Sequence, residues 1–210
     1  MYKTAHISEI LNAKCIGHSN HDVKHLLIDS RQLTEPNQTL FIALISKRND
    51  AHQYIFHLYQ SGVKTFLVSY IPENCKQISD ACFIIVDNTL TALQKLTSYH
   101  RQQFNIPTIG ITGSNGKTIV KEWLYQLLKN DYSICRSPKS FNSQIGVPLS
   151  VWQLNNQHNL AIFEAGISEI GEMKLLEEII KPSIGILTSL GTAHDEGFAD
   201  TSVKLKEKLI

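Results

Sequence analysis

The stretch Ile109-Gly110-Ile111-Thr112-Gly113-Ser114-Asn115-Gly116-Lys117-Thr118 constrains the fold more than any other part of the chain. It is a glycine-rich turn ending in Gly-Lys-Thr, set between two segments of different periodicity. Before it, Ile106 to Thr112 is β-rich and apolar once Pro107 is passed; after it, Ile119 to Lys129 carries Val120, Trp123, Leu124, Leu127 and Leu128 at helical spacing. Strand, glycine turn and helix in that order form the context of a phosphate-binding loop. The turn's N–H groups and the helix N-terminus together make an anion site. In such a loop Thr112, Gly113, Ser114, Asn115, Gly116, Lys117 and Thr118 would cradle the phosphates of ATP or GTP, with Lys117 on the β/γ-phosphates and the Thr118 hydroxyl on Mg²⁺. The spacing departs from the common pattern, which wants glycine where this chain has Ile111. A chance Gly-Lys-Thr in a surface turn is the alternative for the tripeptide alone; the flanking strand and helix favour the phosphate loop.

The 210 residues, 42% of them hydrophobic, suffice for one large domain or two small ones with cores of their own. A formal net charge of +1 gives no electrostatic footprint for nucleic acid. No apolar run approaches the length of a membrane span, and no signal-peptide core follows Met1. Cys15, Cys75, Cys82 and Cys135 form no Cys-x-x-Cys pair, so reduced, buried thiols in a cytoplasmic protein are expected.

The pattern predicts an α/β protein in two parts, 1–104 and 105–210, with the boundary near Phe104-Asn105-Ile106-Pro107. In the first part, a short helix capped by Ser8 runs to Ala13. Strands are expected at 25–29, 40–45, 65–69 and 82–86, and helices at 51–61 and 89–103. The second part begins with the strand feeding the glycine loop. It continues with strands at 132–135, 160–164 and 184–188 and a helix at 171–180 that Lys181-Pro182 ends. Strands alternating with helices imply a parallel sheet, with ligands at the strand C-terminal ends. The chain stops inside what reads as the start of a helix, without a closing strand. The expectation is a truncated P-loop parallel-sheet domain, the front part of a longer protein.

Glu164 ends an apolar strand and projects toward the crevice the glycine loop faces. It reads either as a magnesium or water contact or as a cap of the next helix. His194 follows another strand end in a glycine-rich loop with Asp195 and Glu196; by residue type alone a solvated role competes. Lys204, Lys206 and Lys208 read first as a solvated helix face. Asp29-Ser30-Arg31, and Arg48 with Asp50 and His52, could hold a phosphorylated or carboxylated ligand or serve as turn and cap residues.

Together these blocks resemble the Mur ligases of peptidoglycan synthesis. The resemblance rests on Thr112 to Thr118 with Val120-Lys121-Glu122, Ser140 to Pro148, Glu164 to Met173, Leu190 to Phe198, and the amino-terminal Asp29-Ser30-Arg31 and Arg48 to His52. It covers nearly the whole chain. It implies an ATP-dependent, amide-forming ligase of the cytoplasm that joins D-alanyl-D-alanine to UDP-N-acetylmuramoyl-tripeptide through an acyl phosphate. The first part would be the UDP-muramoyl-peptide-binding domain and the second the ATP-binding domain. The resemblance further implies that Thr118 and Glu164 hold one Mg²⁺ and that His194 helps hold a second. A lysine after the histidine block is carbamylated in the family; its spacing to His194 assigns it to Lys208, with Lys206 as the fallback. Lys117, His194 and Lys208 would then be the catalytic set. Asp29, Ser30, Arg31 and Arg48, with Asn142 and Ser143, would contact the UDP-sugar and its peptide. The family also uses a C-terminal domain, absent from these residues, so the chain alone is expected to lack turnover. Ile119, Ala51 and Ser140 depart from residues the family often carries, and none of them is a metal or phosphate ligand. The rival readings are the ligase adding the third amino acid, folylpolyglutamate synthetase, a non-catalytic UDP-sugar-binding module, and a generic P-loop kinase or GTPase.

Overall fold

The structure, a computed structural model, describes residues 1–18, 20–189, 191 and 201–210. The chain divides into two compact units, Met1–Leu96 and Thr97–Ile210.

The first unit runs β1 (Tyr2–Lys3), α1 (Thr4–Leu11), β2 (Lys14–Gly17), β3 (Asp22–Val23), β4 (His25–Leu27), β5 (Thr39–Ile42), α2 (Ile55–Gln60), β6 (Thr65–Val68) and β7 (Cys82–Ile85), then enters α3 (Thr89–Arg101). Its five-stranded sheet has the order β2-β7-β6-β5-β4. The β4, β5, β6 and β7 neighbours pair in parallel and β2 pairs with β7 antiparallel. Strands β5 and β6 are buried along their whole length, as parallel strands covered on both faces must be. Helix α1 starts four residues before the expected Ser8 cap. Thr4, Ile7, Ser8 and Leu11 form its buried face at helical spacing, so Ser8 lies inside the helix rather than at its end. The edge strand β2 was not anticipated; its exposed Lys14, Ile16 and Gly17 give no period-two signal.

The second unit runs β8 (Thr108–Thr112), α4 (Lys117–Leu128), β9 (Ile134–Arg136), α5 (Gly146–Val151), β10 (Leu160–Glu164), α6 (Glu172–Ile180), β11 (Ile184–Leu187) and α7 (Thr201–Lys208). The sheet is wholly parallel in the order β11-β8-β10-β9. Alternation sorts its side chains to two layers. Ile109, Ile111, Leu160 and Ile162 face Val120, Leu124 and Leu128 of α4. Ala161, Phe163 and Ala165 face Val147 and Val151 of α5 and Met173, Leu176 and Ile179 of α6. Helix α7 docks on this second side, where Glu207 Oε1 accepts the N–H groups of Gly171 at 2.7 Å and Met173 at 3.2 Å.

The division between the units falls inside α3, upstream of the Phe104–Pro107 segment the sequence pattern suggests. The last turn of α3 is committed to the second unit. His100 Nε2 lies 3.1 Å from the Leu154 carbonyl, and buried Arg101 donates to Ile180 O at 2.8 Å and Thr108 Oγ1 at 2.6 Å. Among the described residues no helix is long and apolar enough to cross a membrane. All four cysteines are free, with Cys75, Cys82 and Cys135 buried.

Candidate nucleotide site

The glycine loop sits at the C-terminal end of β8, between the strand and α4. Gly116 caps α4 at φ +85° and has no side chain to offer its first turn, so the first N–H groups of a 12-residue helix point to the loop. Gly113 stands at φ +140°, where a Cβ would meet Thr188 Oγ1 at 2.1 Å. Lys117 Nζ donates to the Gly113 carbonyl at 2.6 Å, closing the loop on itself. The loop is also strapped to the segment after β11. Ser114 N–H donates to Ser189 O at 2.8 Å, Asn115 N–H to Ser189 Oγ at 3.2 Å, and the Thr188 hydroxyl to Asn115 O at 2.5 Å. Thr188 and Ser189 were not singled out from sequence; only their place at a strand end, level with the loop, could have pointed to them.

Glu164 ends β10 on the α4 side of the sheet and is fully buried. Thr118 Oγ1 donates to its Oε2 at 3.0 Å. Its Oε1 is met by the Lys121 ammonium at 2.9 Å as an ion pair, with both side chains shut off from water. Of the two readings open for Glu164, the helix-cap role is not seen: Glu172 Oε2 accepts Ser168 N–H and Glu169 N–H, and Glu207 serves the start of α6. A threonine hydroxyl beside one carboxylate oxygen is a hard, oxygen-only donor pair. That suits Mg²⁺, which takes few protein ligands and fills its octahedron from phosphates and water. Among the described residues there is no group of three or more His, Cys, Asp or Glu that could hold a metal ion.

Lys121, which the sequence marks only within Val120-Lys121-Glu122, lies beside the Thr118–Glu164 pair. Trp123 and Leu127, two of the apolar residues at helical spacing, are exposed, whereas Lys121 is fully buried. Its ammonium donates to Ser137 O at 2.8 Å and also reaches the Lys139 carbonyl. The available signal was position: Lys121 lies three residues after Thr118 and four after Lys117, on the same helix face.

The other expected residues are distributed as follows. Lys208 is buried on the opposite, α6 side of the sheet, lining a cavity of about 340 Å³ with Gly110, Thr112 and Glu177. The structure therefore does not bring Lys208 together with Thr118 and Glu164, because Glu164 shares its face with Leu160 and Ile162. Lys206 is exposed. His194 lies outside the described residues. Asn142 packs against the backbone of Gly166, whose N–H donates to Asn142 O at 2.7 Å. The Ser143 hydroxyl accepts Gly146 N–H at 3.2 Å at the start of α5.

In the first unit, Asp29, Ser30 and Arg31 line a cavity of about 460 Å³ with Ile28, Asn49 and Tyr54. Asp29 Oδ1 accepts Arg31 N–H at 3.1 Å and Nε–H at 2.9 Å, and Oδ2 accepts Nη2–H at 2.7 Å. The hydrogen bond from the Arg31 side chain is the largest influence holding the Asp29 carboxyl down at about 2. Arg48 is exposed in the adjoining turn, which contributes Asn49 to the cavity wall. Asp50 and His52 take cap and packing roles. Asp50 Oδ1 accepts His52 N–H at 2.9 Å and lies 2.6 Å from His52 Nδ1, while His52 Nε2 accepts Ser69 N–H at 3.0 Å. With Nε2 an acceptor, Nδ1 carries the imidazole proton.

A glycine loop feeding a helix, a lysine folded over it and a threonine–carboxylate pair at the neighbouring strand end form a candidate nucleotide-phosphate site on a parallel α/β sheet. Residues 111–209 match the Mur ligase middle domain. The chain is 35% identical over 188 residues to the UDP-N-acetylmuramoyl-tripeptide–D-alanyl-D-alanine ligase of Borreliella burgdorferi, covering 86% of this chain and 40% of the relative. It is 33% identical over 187 residues to the ligase of that name from Bacillus subtilis, covering 84% and 39%. Its fold matches MurF from Acinetobacter baumannii with TM-score 0.87 and 25% identity, over 99% of this chain and 45% of that one. It also matches Thermotoga maritima MurF ligase in complex with ADP, with TM-score 0.77 and 27% identity, over 89% and 42%. The chain belongs to the Mur ligase family. It spans about two-fifths of the length of these curated relatives.

Proposed function

We propose that this chain carries the UDP-muramoyl-peptide-binding and ATP-binding parts of a cytoplasmic ligase. That ligase joins D-alanyl-D-alanine to UDP-N-acetylmuramoyl-tripeptide in peptidoglycan precursor synthesis. The observation that carries the reading is the Thr118–Glu164 pair, 3.0 Å apart at the mouth of the Lys117 loop, in a chain whose curated relatives bear that ligase's name.

In this reading the loop N–H groups and the α4 N-terminus bind the nucleotide phosphates. Lys117 exchanges the Gly113 carbonyl for the β/γ-phosphates and neutralises charge as the terminal phosphoryl group moves to the peptide carboxylate. Mg²⁺, held by Thr118 and Glu164, would supply further charge neutralisation there. The acyl phosphate so formed is then attacked by the amine of D-alanyl-D-alanine, with phosphate leaving. The Asp29–Arg31 cavity is assigned to the uridine nucleotide end. Its fork leaves donors of Arg31, 86% exposed along its side chain, turned to solvent.

Calorimetric titration tests both halves. ATP–Mg²⁺ should bind, Lys117→Ala should weaken it at least tenfold, and UDP-N-acetylmuramoyl-tripeptide should bind in preference to the dipeptide form. Equal ATP affinity in the Lys117→Ala protein would refute the nucleotide site. Preference for the dipeptide would shift the assignment to the ligase adding the third amino acid.

A further inference from the structure

The buried Lys121 ammonium joins three elements around the candidate metal site. From α4 it reaches the Ser137 and Lys139 carbonyls after β9 and the Glu164 carboxylate at the end of β10. Lys139, whose carbonyl the ammonium reaches, stands at φ +48°, in the left-handed region. The Ser137 hydroxyl accepts Glu164 N–H at 3.1 Å, so one segment grips both the backbone and, through Lys121, the side chain of the carboxylate. An ammonium has three donors. With two spent on carbonyls, its charge lies 2.9 Å from Glu164 Oε1 and 3.3 Å from the Glu122 carboxylate, while Glu164 Oε2 is the oxygen beside Thr118. Neither Lys121 nor Glu164 has water to turn to, so this division of the two oxygens is fixed by burial.

We propose that Lys121 is a positioning residue that confines Glu164 to one-oxygen coordination and so sets the preference of the site for Mg²⁺ over the larger Ca²⁺. The inference rests on the nucleotide-site reading above. Mg²⁺ holds to six ligands in a near-ideal octahedron and accepts a carboxylate through one oxygen; Ca²⁺ takes six to eight and gains from two-oxygen carboxylates. An ammonium on Oε1 withholds the second oxygen. Its positive charge also weakens the pull of the site on a bare cation, which favours a metal arriving with the phosphates.

The test is binding of a fluorescent ADP analogue while Mg²⁺ or Ca²⁺ is titrated, in the wild type and in K121M. The readout is the ratio of the two half-saturating metal concentrations, which a purely structural loss would not move. Wild type should favour Mg²⁺, and K121M should narrow the ratio at least fivefold, chiefly by tightening Ca²⁺. If circular dichroism shows K121M unfolded, K121Q is measured the same way; it removes the charge and keeps a donor for the Ser137 carbonyl. Nucleotide binding that persists with an unchanged metal ratio overturns the role of Lys121 alone. A wild type that binds the analogue with neither metal overturns the nucleotide site, and this inference with it.

Discussion

Replacing Gly113 with alanine forces a methyl group into space the structure has already filled. The added Cβ would stand 2.1 Å from Thr188 Oγ1, 3.0 Å from Ser189 N and 3.1 Å from Ser189 O. Thr188 cannot simply turn away, because its hydroxyl lies 3.1 Å from Thr112 O and 2.5 Å from Asn115 O. The loop or its strap must therefore move by about 1 Å to restore ordinary contact. Backbone strain adds to this, since φ at Gly113 is +140°. Gly171 supplies the control: its φ is +89° and nothing lies within 4 Å of an added Cβ, so G171A isolates strain of about 1–2 kcal/mol. G113A should cost about 3 kcal/mol or more. T188A alone should cost about 1 kcal/mol through its lost hydrogen bonds. The double variant should fall short of the sum by about 1 kcal/mol, because removing Oγ1 relieves the closest overlap. Urea unfolding followed by tryptophan fluorescence measures this in the right place, since Trp123 and Trp152 both belong to the second unit. The reasoning fails if G113A costs no more than G171A, or if G113A and T188A are additive.

Burial lowers the His100 imidazole from its usual 6.5 to about 4, more than its bond to the Leu154 carbonyl restores. The unfolded chain then binds a proton the folded one refuses, so this contribution is complete above pH 6.5 and lost as pH falls toward 4. Between pH 7 and pH 5 the second unit should lose about 2 kcal/mol that H100Q does not lose; equal losses in urea titrations would exclude His100 as the source. Burial also raises the Cys75 and Cys82 thiols and pushes Cys135 up to about 12, whereas Cys15 is half-buried on an edge strand. A disulfide reagent at pH 8 should label Cys15 quickly and the other three only in denaturant; rapid labelling of a second thiol would contradict the packing around β7 and β9.

The strand, glycine turn and helix of the candidate phosphate loop were legible because their signals are local. Strand, positive-φ glycines, Lys117 and Thr118 follow one another within a dozen residues, and each states its conformational need in its own type. The parallel sheet was legible for a related reason, since β8, β10 and β11 are short apolar runs separated by helix-length segments. What failed to show depends on which face a residue takes after packing. The apolar spacing on α4 offers two overlapping stripes, one through Val120, Leu124 and Leu128 and one through Ile119, Trp123 and Leu127. The linear pattern cannot choose between them; the sheet does, taking the first, partly buried, against β8 and β10 and leaving the second exposed. Once it is chosen, Thr118 and Lys121 fall along its margin facing β10, and Lys121 becomes a buried counter-charge to Glu164. Lys208 shows the same ambiguity across the sheet. Its distance along the chain from the histidine block carries no information about which layer α7 joins. The layer is set by Glu207, whose carboxylate accepts the unpaired N–H groups at the start of α6 and holds α7 on the side away from Glu164. A residue's part in this site therefore follows from two facts together: the strand end it sits near, and the parity of that strand's side chains. Glu164 meets both conditions, with Leu160 and Ile162 beneath it on the α4 face. Lys208 meets only the first, on the α6 face where the contacts of Glu207 and Val203 hold α7.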